Sequence, residues 1–274
     1  MKFTTLFITL TVSLSINAFA LIPSSEYANT PAKAKMKYEE QKVQTSDGAS
    51  LTTWYFPSSR ITNKLIIVSH NGVGNMGDNL NRIKSLVSYG FNVLCFDYRG
   101  YGSSSGFTIS DDTYIYNEFY QDFETVYDYA AENYGKRIYL YGWGIGATIS
   151  ITIGYTKSYT NTIIADGPIS NYSDMPEKFK KIGSRMSVDS DVISQQPEPF
   201  QVLSSTPTPS FRGILLIVGS HDYLFTKSDM EALEAQVKSD SKEVFVLENK
   251  GSRDNHKHNA HVYMRKIHGF LVNY

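Results

Sequence analysis

The chain has 274 residues, of which 41% are hydrophobic, and its formal net charge at pH 7 is −1. This length is sufficient for one large domain with a buried core, and twenty tyrosines and fifteen phenylalanines argue against intrinsic disorder. The near-neutral charge, without a basic stripe, gives no electrostatic argument for binding nucleic acid.

The first twenty residues have the three parts of a secretory signal peptide. Lys2 supplies a positive charge, LFITLTVSLSI is apolar, and Ala18-Phe19-Ala20 has the form of a cleavage site. The alternatives are an N-terminal membrane anchor or a buried strand, but the apolar stretch is short for a membrane span and rich in Ser and Thr. We predict cleavage near Ala20 and export to the periplasm or the medium. No cysteine directly follows the cleavage site, so we expect no lipid anchor there. No later stretch of the sequence reaches transmembrane length.

Residues 21–37 combine Pro, Ser, Ala and Lys without periodicity, which predicts an arm or linker ahead of a domain over residues 38–274. Two alternating runs around Ser46-Asp47-Gly48 predict a β-hairpin. Six later runs are continuously apolar, as expected for strands buried on both faces of a parallel sheet: 64–70, 91–99, 137–143, 161–167, 213–219 and 243–249. Helices are predicted between them at about 78–89, 113–134, 145–157, 227–238 and 259–272.

This alternation of strands and helices predicts an α/β fold, with a mostly parallel central sheet and helices on both faces. Residues 169–211 are too long for a simple crossover and are rich in Pro, Ser and Gln. We expect them to form a short helical lid over the carboxyl edge of the sheet, where open α/β folds bind ligands. Cys95, the only cysteine, lies in an apolar run and is predicted to be buried rather than reactive.

Glycine-rich and polar segments follow the predicted strands in a characteristic order. They are SHNGVGNMGDN (69–79), FDYRGYGSSSG (96–106), YGWGIGA (141–147), VGSHDYLFT (218–226) and KGSRDNHKHNAHVY (250–263). With these segments the chain resembles the α/β-hydrolase superfamily, and within it the serine hydrolases that carry an H-G-N-A-G-N loop and a D-Y-R-G-Y-G-x-S motif. The resemblance covers about residues 38–274, and DYRGYG (97–102) is its most specific part.

The resemblance implies a site for ester or peptide hydrolysis, with no cofactor and no metal. The nucleophilic serine is expected at position 144, where this chain has Gly144. Asp222 matches the acid, and His258, followed by Asn259 as an N-cap, matches the histidine, with His256 as the alternative. The implied oxyanion donors are the N–H groups of Ile145 and Gly72, although this loop reads His70-Asn71-Gly72 where the family has His-Gly-Asn.

Other interpretations of the same residues stay open. Asp222 could cap the following helix, and His256, His258 and His261 could bind a metal, although no carboxylate cluster lies near them, or form a solvated loop. Arg99 and the Gly100-Tyr101-Gly102 turn are typical of residues that determine the fold. Glycine at position 144 avoids the backbone strain of the elbow but removes the Oγ on which acyl transfer depends.

Three functional hypotheses follow. We favour an exported hydrolase homologue without its nucleophile, which binds a small acyl or peptide-like ligand through the former acyl pocket. The second is an active hydrolase of ester or peptide bonds with a non-standard mechanism. The third is an interaction protein that uses its lid surface, with an unknown protein partner.

Overall fold

The computed structural model describes residues 21–248, 250–251 and 255–274, apart from the side chain of residue 258. The predicted signal peptide, residues 1–20, lies outside the described residues, and so does the imidazole of His258. Among the described residues, no helix is long and apolar enough to cross a membrane.

An eight-stranded sheet forms the centre of the domain. In chain order the strands are β1 (Ile22–Pro23), β2 (Glu39–Gln44), β3 (Ser50–Phe56), β4 (Leu65–Ser69), β5 (Val73–Gly74), β6 (Asn92–Phe96), β7 (Ile138–Trp143), β8 (Thr160–Asp166), β9 (Gly213–Gly219) and β10 (Ser241–Leu247). The large sheet has the order β10-β9-β8-β7-β4-β6-β3-β2, and β1 pairs with β5 separately. Strand β3 is antiparallel to β2 and β6, and the pairs from β6 to β10 are parallel. The predicted hairpin and the predicted α/β fold class are confirmed.

Helices cover both faces of the sheet. They are α1 (Leu80–Ser88), α2 (Asn117–Asn133), α3 (Ile145–Gly154), α4 (Met175–Lys181), α5 (Ser190–Gln195), α6 (Pro199–Ser204), α7 (Lys227–Gln236) and α8 (Asn255–Leu271). One apolar cluster joins the sheet to α2, α3 and α7, and a second joins the opposite face to α1 and α8. Cys95 is buried in the second cluster. Three short helices, α4 to α6, occupy the long connection between β8 and β9.

Two predicted helix starts differ from the structure. The helix predicted from residue 113 begins at Asn117, because Thr113 pairs with Ser187 in an isolated bridge and residues 114–116 are not helical. The helix predicted from residue 259 begins at Asn255. Asn259 interrupts it with non-helical angles of φ −135° and ψ 36°, so the sequence signal for a helix start at Asn259 marks a break inside α8.

The segment before the domain is a packed arm. The Ile22 N–H donates to the carbonyl of Gly72 at 2.8 Å, and the Ser24 N–H donates to the carbonyl of Gly74 at 3.1 Å. Leu21 is buried beside these bonds. The arm therefore lies against the loop that follows β4, which is one wall of the candidate site.

Candidate functional site

Gly144 lies in the sharp turn between β7 and α3, at the carboxyl edge of the sheet. Its backbone angles are φ 57° and ψ −122°, a left-handed conformation that strains residues with a Cβ. Its N–H donates to the carbonyl of Asp166 at 2.8 Å, and its carbonyl accepts the N–H of Thr148 at 3.1 Å. These bonds fix the sharp turn at the position where the family pattern predicts a nucleophilic serine.

The space beside Gly144 is already occupied. A Cβ atom at Gly144 would lie 2.9 Å from the Cβ of Asn71 and 3.4 Å from the hydroxyl oxygen of Tyr114. Carbon atoms in ordinary contact are 3.5–4.0 Å apart, so a side chain at position 144 would displace the loop that carries Asn71. The neighbouring Gly146 is equally constrained, because its Cβ would lie 2.2 Å from the carbonyl oxygen of Ser69.

The loop after β4 is held by a buried histidine. The Gly72 N–H donates to Nδ1 of His70 at 3.1 Å, which makes Nε2 the protonated nitrogen of the neutral ring. That Nε2 lies 3.5 Å from Oδ1 of Asp97, and Asp97 also accepts the Met76 N–H and the hydroxyl of Tyr27. The N–H predicted as an oxyanion donor is thus directed at a ring, and the role of Gly72 stays a prediction.

Ile145 is the first residue of α3 and is fully buried. The first N–H groups of a helix have no carbonyl partner within that helix, so the Ile145 N–H is left for a group at the elbow. This is the donor position expected from the sequence.

Asp222 lies in the turn after β9 and is 7% exposed. Its Oδ1 accepts the N–H groups of Leu224 and Phe225 at 2.9 and 2.8 Å. It does not cap the next helix, because Thr226 caps α7 together with Asp229. The alternative interpretation of Asp222 as a helix cap is therefore wrong, and the carboxylate remains at the edge of the sheet where the family pattern expects an acid.

The histidine cluster is described in part. His256, in the first turn of α8, is half-buried, and burial together with the charge of Arg82 lowers the pKa of its ring to about 4. His261 is exposed, and its Nδ1 lies 2.7 Å from Nη2 of Arg265. The side chain of His258 lies outside the described residues, so its match to the family histidine stays a prediction.

A buried polar network that sequence reasoning missed connects α8 to the elbow. The carboxylate of Asp166, at the end of β8, accepts the side-chain N–H of Asn255 at 2.7 Å and the hydroxyl of Tyr263 at 2.8 Å. Tyr263 and Arg82 both contact the hydroxyl of Tyr141, and the Arg82 guanidinium lies 4.3 Å from the centre of the Trp143 ring. Burial raises the pKa of Asp166 to about 6. The only signal in the sequence was an aspartate at the end of an apolar run.

The network fixes where α8 begins. Asn255 is fully buried and directly precedes His256, while the backbone of Asp166 holds Gly144. Asp166 therefore binds both elements: its side chain holds the start of α8, and its backbone carbonyl holds Gly144. Asp166 is therefore a positioning residue. No described contact places its side chain in the space beside Gly144.

Arg99, in the DYRGYG motif, joins three parts of the fold. It forms ion pairs with Asp122 of α2, with Nη2 to Oδ1 at 2.7 Å, and with Asp47 of the hairpin turn, with Nη1 to Oδ2 at 2.6 Å. Hydrogen bonds from Arg99 lower the pKa of Asp47 to about 2. These contacts give the arginine of the motif a structural role, as expected from the sequence.

The chain is similar to several known proteins. It is 25% identical to the uncharacterized protein YfhR of Salmonella typhi over 256 residues, covering 85% of this chain and 80% of that protein. It is also 25% identical to the protein bem46 of Schizosaccharomyces pombe over 221 residues, or 77% and 69% of the two chains. The crystal structure of the Pyrococcus furiosus esterase Pf2001 superposes with a TM-score of 0.75 at 19% identity, over 93% of this chain and 97% of that one. At this identity the superposition establishes the fold alone.

The sequence also matches a family that is described as serine aminopeptidase, S33, over residues 61–208. The match includes the loop after β4, the DYRGYG motif, the turn at Gly144 and most of the connection between β8 and β9. The protein is accordingly a member of the serine aminopeptidase S33 family and has the α/β-hydrolase fold.

Proposed function

We propose that this protein is an exported α/β-hydrolase homologue that binds a small acyl or peptide-like ligand and does not transfer acyl groups from its elbow. The observation that carries the proposal is the space beside Gly144. The Cβ of Asn71 lies 2.9 Å from the position that a serine Cβ would take there. A serine at position 144 would therefore have to displace the loop that carries Asn71.

The two positions form a matched pair. The family pattern has glycine in the loop and serine in the elbow, and this chain has Asn71 in the loop and Gly144 in the elbow. Nucleophilic catalysis needs an activated hydroxyl or thiol in reach of the oxyanion donor, and neither Asn71 nor Gly144 supplies one.

The surroundings of Gly144 favour an apolar ligand with a polar end. The ring of Tyr114 has its centre 5.7 Å from that of Phe179 in α4 and 6.1 Å from that of Phe225 in the Asp222 turn. The Tyr114 hydroxyl and the Asn71 side chain both lie next to Gly144, while Tyr114, Phe179 and Phe225 are 4%, 1% and 2% exposed, so a ligand would have to move these side chains to reach the turn. Under the proposal, the ligand is an acyl or peptide-like group whose carbonyl oxygen accepts a hydrogen bond there.

Four proteins test the proposal: the parent, Asn71→Gly, Gly144→Ser and the double variant Asn71→Gly/Gly144→Ser. We expect the parent and Asn71→Gly to be inert toward p-nitrophenyl acetate and a fluorophosphonate probe, because both reagents need a nucleophilic oxygen. The double variant is expected to react with both reagents more strongly than Gly144→Ser, since the loop no longer collides with residue 144. Adding His258→Ala to the double variant should abolish the gain.

Turnover of the ester by the parent, insensitive to fluorophosphonate, would overturn the proposal and favour an active hydrolase of another mechanism. Binding is measured separately, from the fluorescence of Trp143 beside the elbow, with short carboxylic acids as product-like ligands. A saturable change in the parent that Tyr114→Phe weakens supports ligand binding at this site. An unchanged signal would reject the pocket in favour of a lid surface that binds a partner.

Export is the second part of the proposal and has its own test. Cleavage after Ala20 would leave Leu21 at the new N-terminus, and Leu21 packs against Gly72. The intact mass of the protein recovered from the envelope or the medium measures the cleavage site. A mature species that still begins at Met1 would contradict cleavage.

A further inference from the structure

The arm that precedes the domain, residues 21–37, is bound to two loops of the candidate site. One is the loop after β4, whose glycine carbonyls accept N–H groups of the arm. The other is the DYRGYG turn, where the Gly102 N–H donates to the carbonyl of Ser24 at 2.8 Å. The arm lies outside residues 61–208, which match the family, so the family pattern assigns it no role.

A side-chain amide of the loop after β4 holds the backbone of the arm. Nδ2 of Asn75 donates to the carbonyl oxygens of Ser24 and Glu26 at 3.2 and 2.7 Å. Its Oδ1 accepts the Gly77 N–H at 3.0 Å, so the orientation of the amide is fixed from within the loop. Asn75 is 1% exposed, and loss of its donor would leave buried carbonyl groups of the arm without this partner.

The hydroxyl of Tyr27 joins the arm to both loops at one point. It donates to Oδ2 of Asp97 at 2.5 Å and accepts the Ser103 N–H at 3.1 Å. Oδ1 of the same carboxylate accepts the Met76 N–H at 2.7 Å, just beyond β5. Gly102 leaves space for the Tyr27 hydroxyl because it lacks a side chain, since a Cβ there would lie 2.2 Å from the hydroxyl oxygen.

The first residue of the arm packs against the same loop. Three atoms lie within contact distance of the position that a Cβ would have at Gly72: Cδ2 of Leu21 at 2.4 Å, the Tyr101 hydroxyl oxygen at 2.9 Å and Cδ1 of Ile145 at 3.2 Å. Leu21 is 5% exposed and Ile145 is fully buried. Leu21 therefore packs around the glycine of the loop together with Ile145, which directly follows Gly144.

We propose that the arm positions the candidate site, with Tyr27 and Asn75 as the residues that hold the loop after β4 beside Gly144. This inference rests on the proposed function in one respect, namely that the ligand binds between this loop and the turn. Asn71 directly precedes Gly72 in the loop, and its Cβ is the atom that approaches the space beside Gly144. The contacts of a segment set how often it opens locally, so a weakened arm lets the loop open more often.

Labelling of a cysteine at position 71 measures how often the loop opens. The reporter is Asn71→Cys, and the native Cys95, the only cysteine of the chain, is buried. We expect Tyr27→Phe to raise the rate of labelling by a thiol reagent about tenfold or more, because a hydrogen bond to a charged group is lost. Asn75→Asp keeps the acceptor for the Gly77 N–H, removes the donor to the arm, and should raise the rate in the same way.

Two control variants separate this effect from a general loss of stability. Tyr127→Phe also removes a buried tyrosine hydroxyl, which lies 3.0 Å from the hydroxyl oxygen of Thr160 at the start of β8, at the opposite edge of the sheet from the site. It should lower the melting temperature and leave the labelling at position 71 unchanged. Lys33→Ala lies in the arm itself, but its ammonium group donates to the carbonyl of Ala28 within the arm, and it should leave the labelling unchanged as well.

The affinity for butyrate, measured from Trp143 fluorescence in proteins that retain Asn71, reports on the ligand site. We expect Tyr27→Phe to weaken this affinity several-fold and Tyr127→Phe to leave it unchanged. The proposal is overturned by labelling that rises equally in both tyrosine variants or in neither, or by a butyrate affinity that stays at the parent value in Tyr27→Phe. If the parent does not bind butyrate, the proposed ligand site is rejected, and the labelling rates alone decide whether the arm positions the loop.

Discussion

A side chain at Gly144 should destabilise the protein by two effects that can be measured separately. The first is backbone strain, because φ 57° and ψ −122° cost a residue with a Cβ about 1–3 kcal/mol. The second is the overlap with Asn71, whose Cβ would lie 2.9 Å away. Overpacking of this kind costs about 1–3 kcal/mol, so we expect Gly144→Ala to lower the free energy of unfolding by about 2–6 kcal/mol.

The overlap is isolated by a double-mutant cycle with Asn71→Gly. Removing the Cβ of Asn71 leaves the strain at position 144 in place but relieves the collision. We expect Gly144→Ala to cost about 1–2 kcal/mol less in the Asn71→Gly background than in the parent, as contacting residues couple by such amounts. Urea unfolding of the four proteins at pH 7 measures this coupling.

Gly146→Ala serves as the control variant. Its Cβ would lie 2.2 Å from the backbone carbonyl oxygen of Ser69, and no substitution of a single side chain can relieve that collision. Its cost should be unaffected by Asn71→Gly. If the effects of Gly144→Ala and Asn71→Gly simply add, the steric exchange between the two positions is refuted. A Gly144→Ala variant as stable as the parent would refute the strain as well.

Two further predictions concern the polar groups around the site. Asp166 has a folded pKa of about 6, above its unfolded value of about 3.9, so its contribution to stability is present below about pH 3.9 and is lost as the pH rises through 6. The free energies of unfolding of the parent and Asp166→Asn, measured at pH 4.5 and 7.5, should therefore shift relative to each other by about 2 kcal/mol, in favour of the variant at the higher pH. A difference that stays constant between the two pH values would contradict this pKa. Tyr27→Phe removes the hydroxyl that donates to Asp97 and should lower the free energy of unfolding, measured by thermal unfolding, by about 1–2 kcal/mol. The control Tyr223→Phe, at an exposed tyrosine, should have no effect. Equal effects of the two substitutions would show that the hydrogen bond does not stabilise the arm.

The fold could be predicted well because five strands in the middle of the sheet, β4 and β6 to β9, are buried on both faces. A continuous apolar run such as GILLIVG predicts a strand from its own residues, without knowledge of the strand that it pairs with. All six apolar runs correspond to strands of the large sheet. Shorter elements gave no such signal. The pairing of Ile22–Pro23 with Val73–Gly74 involves two residues on each side, and the bridge formed by Thr113 depends on the distant Ser187.

The site was predicted through motifs, and motifs identify positions better than they identify contacts. Asp222 follows β9 and Ile145 follows β7, both at the carboxyl edge of the sheet, while their roles as acid and oxyanion donor stay predictions. The pattern gave no indication of Asp166, because a buried acid at a strand end resembles any polar residue that closes an apolar run. Its importance arises from Asn255 and Tyr263, which are almost a hundred residues away and reach it only in the folded protein.

The same limit applied to Asn71, and here the structure changes the interpretation of Gly144. In the sequence, Asn71 is a departure in one loop and Gly144 a departure in another, with no visible relation. In the structure, the Cβ of one occupies the space that the Cβ of the other would need. A side chain at position 144 and the side chain of Asn71 therefore compete for one space, which neither position reveals in the sequence. Because the collision is between two side chains, the proposed absence of acyl transfer has to be tested at both positions together, as in the double variant Asn71→Gly/Gly144→Ser.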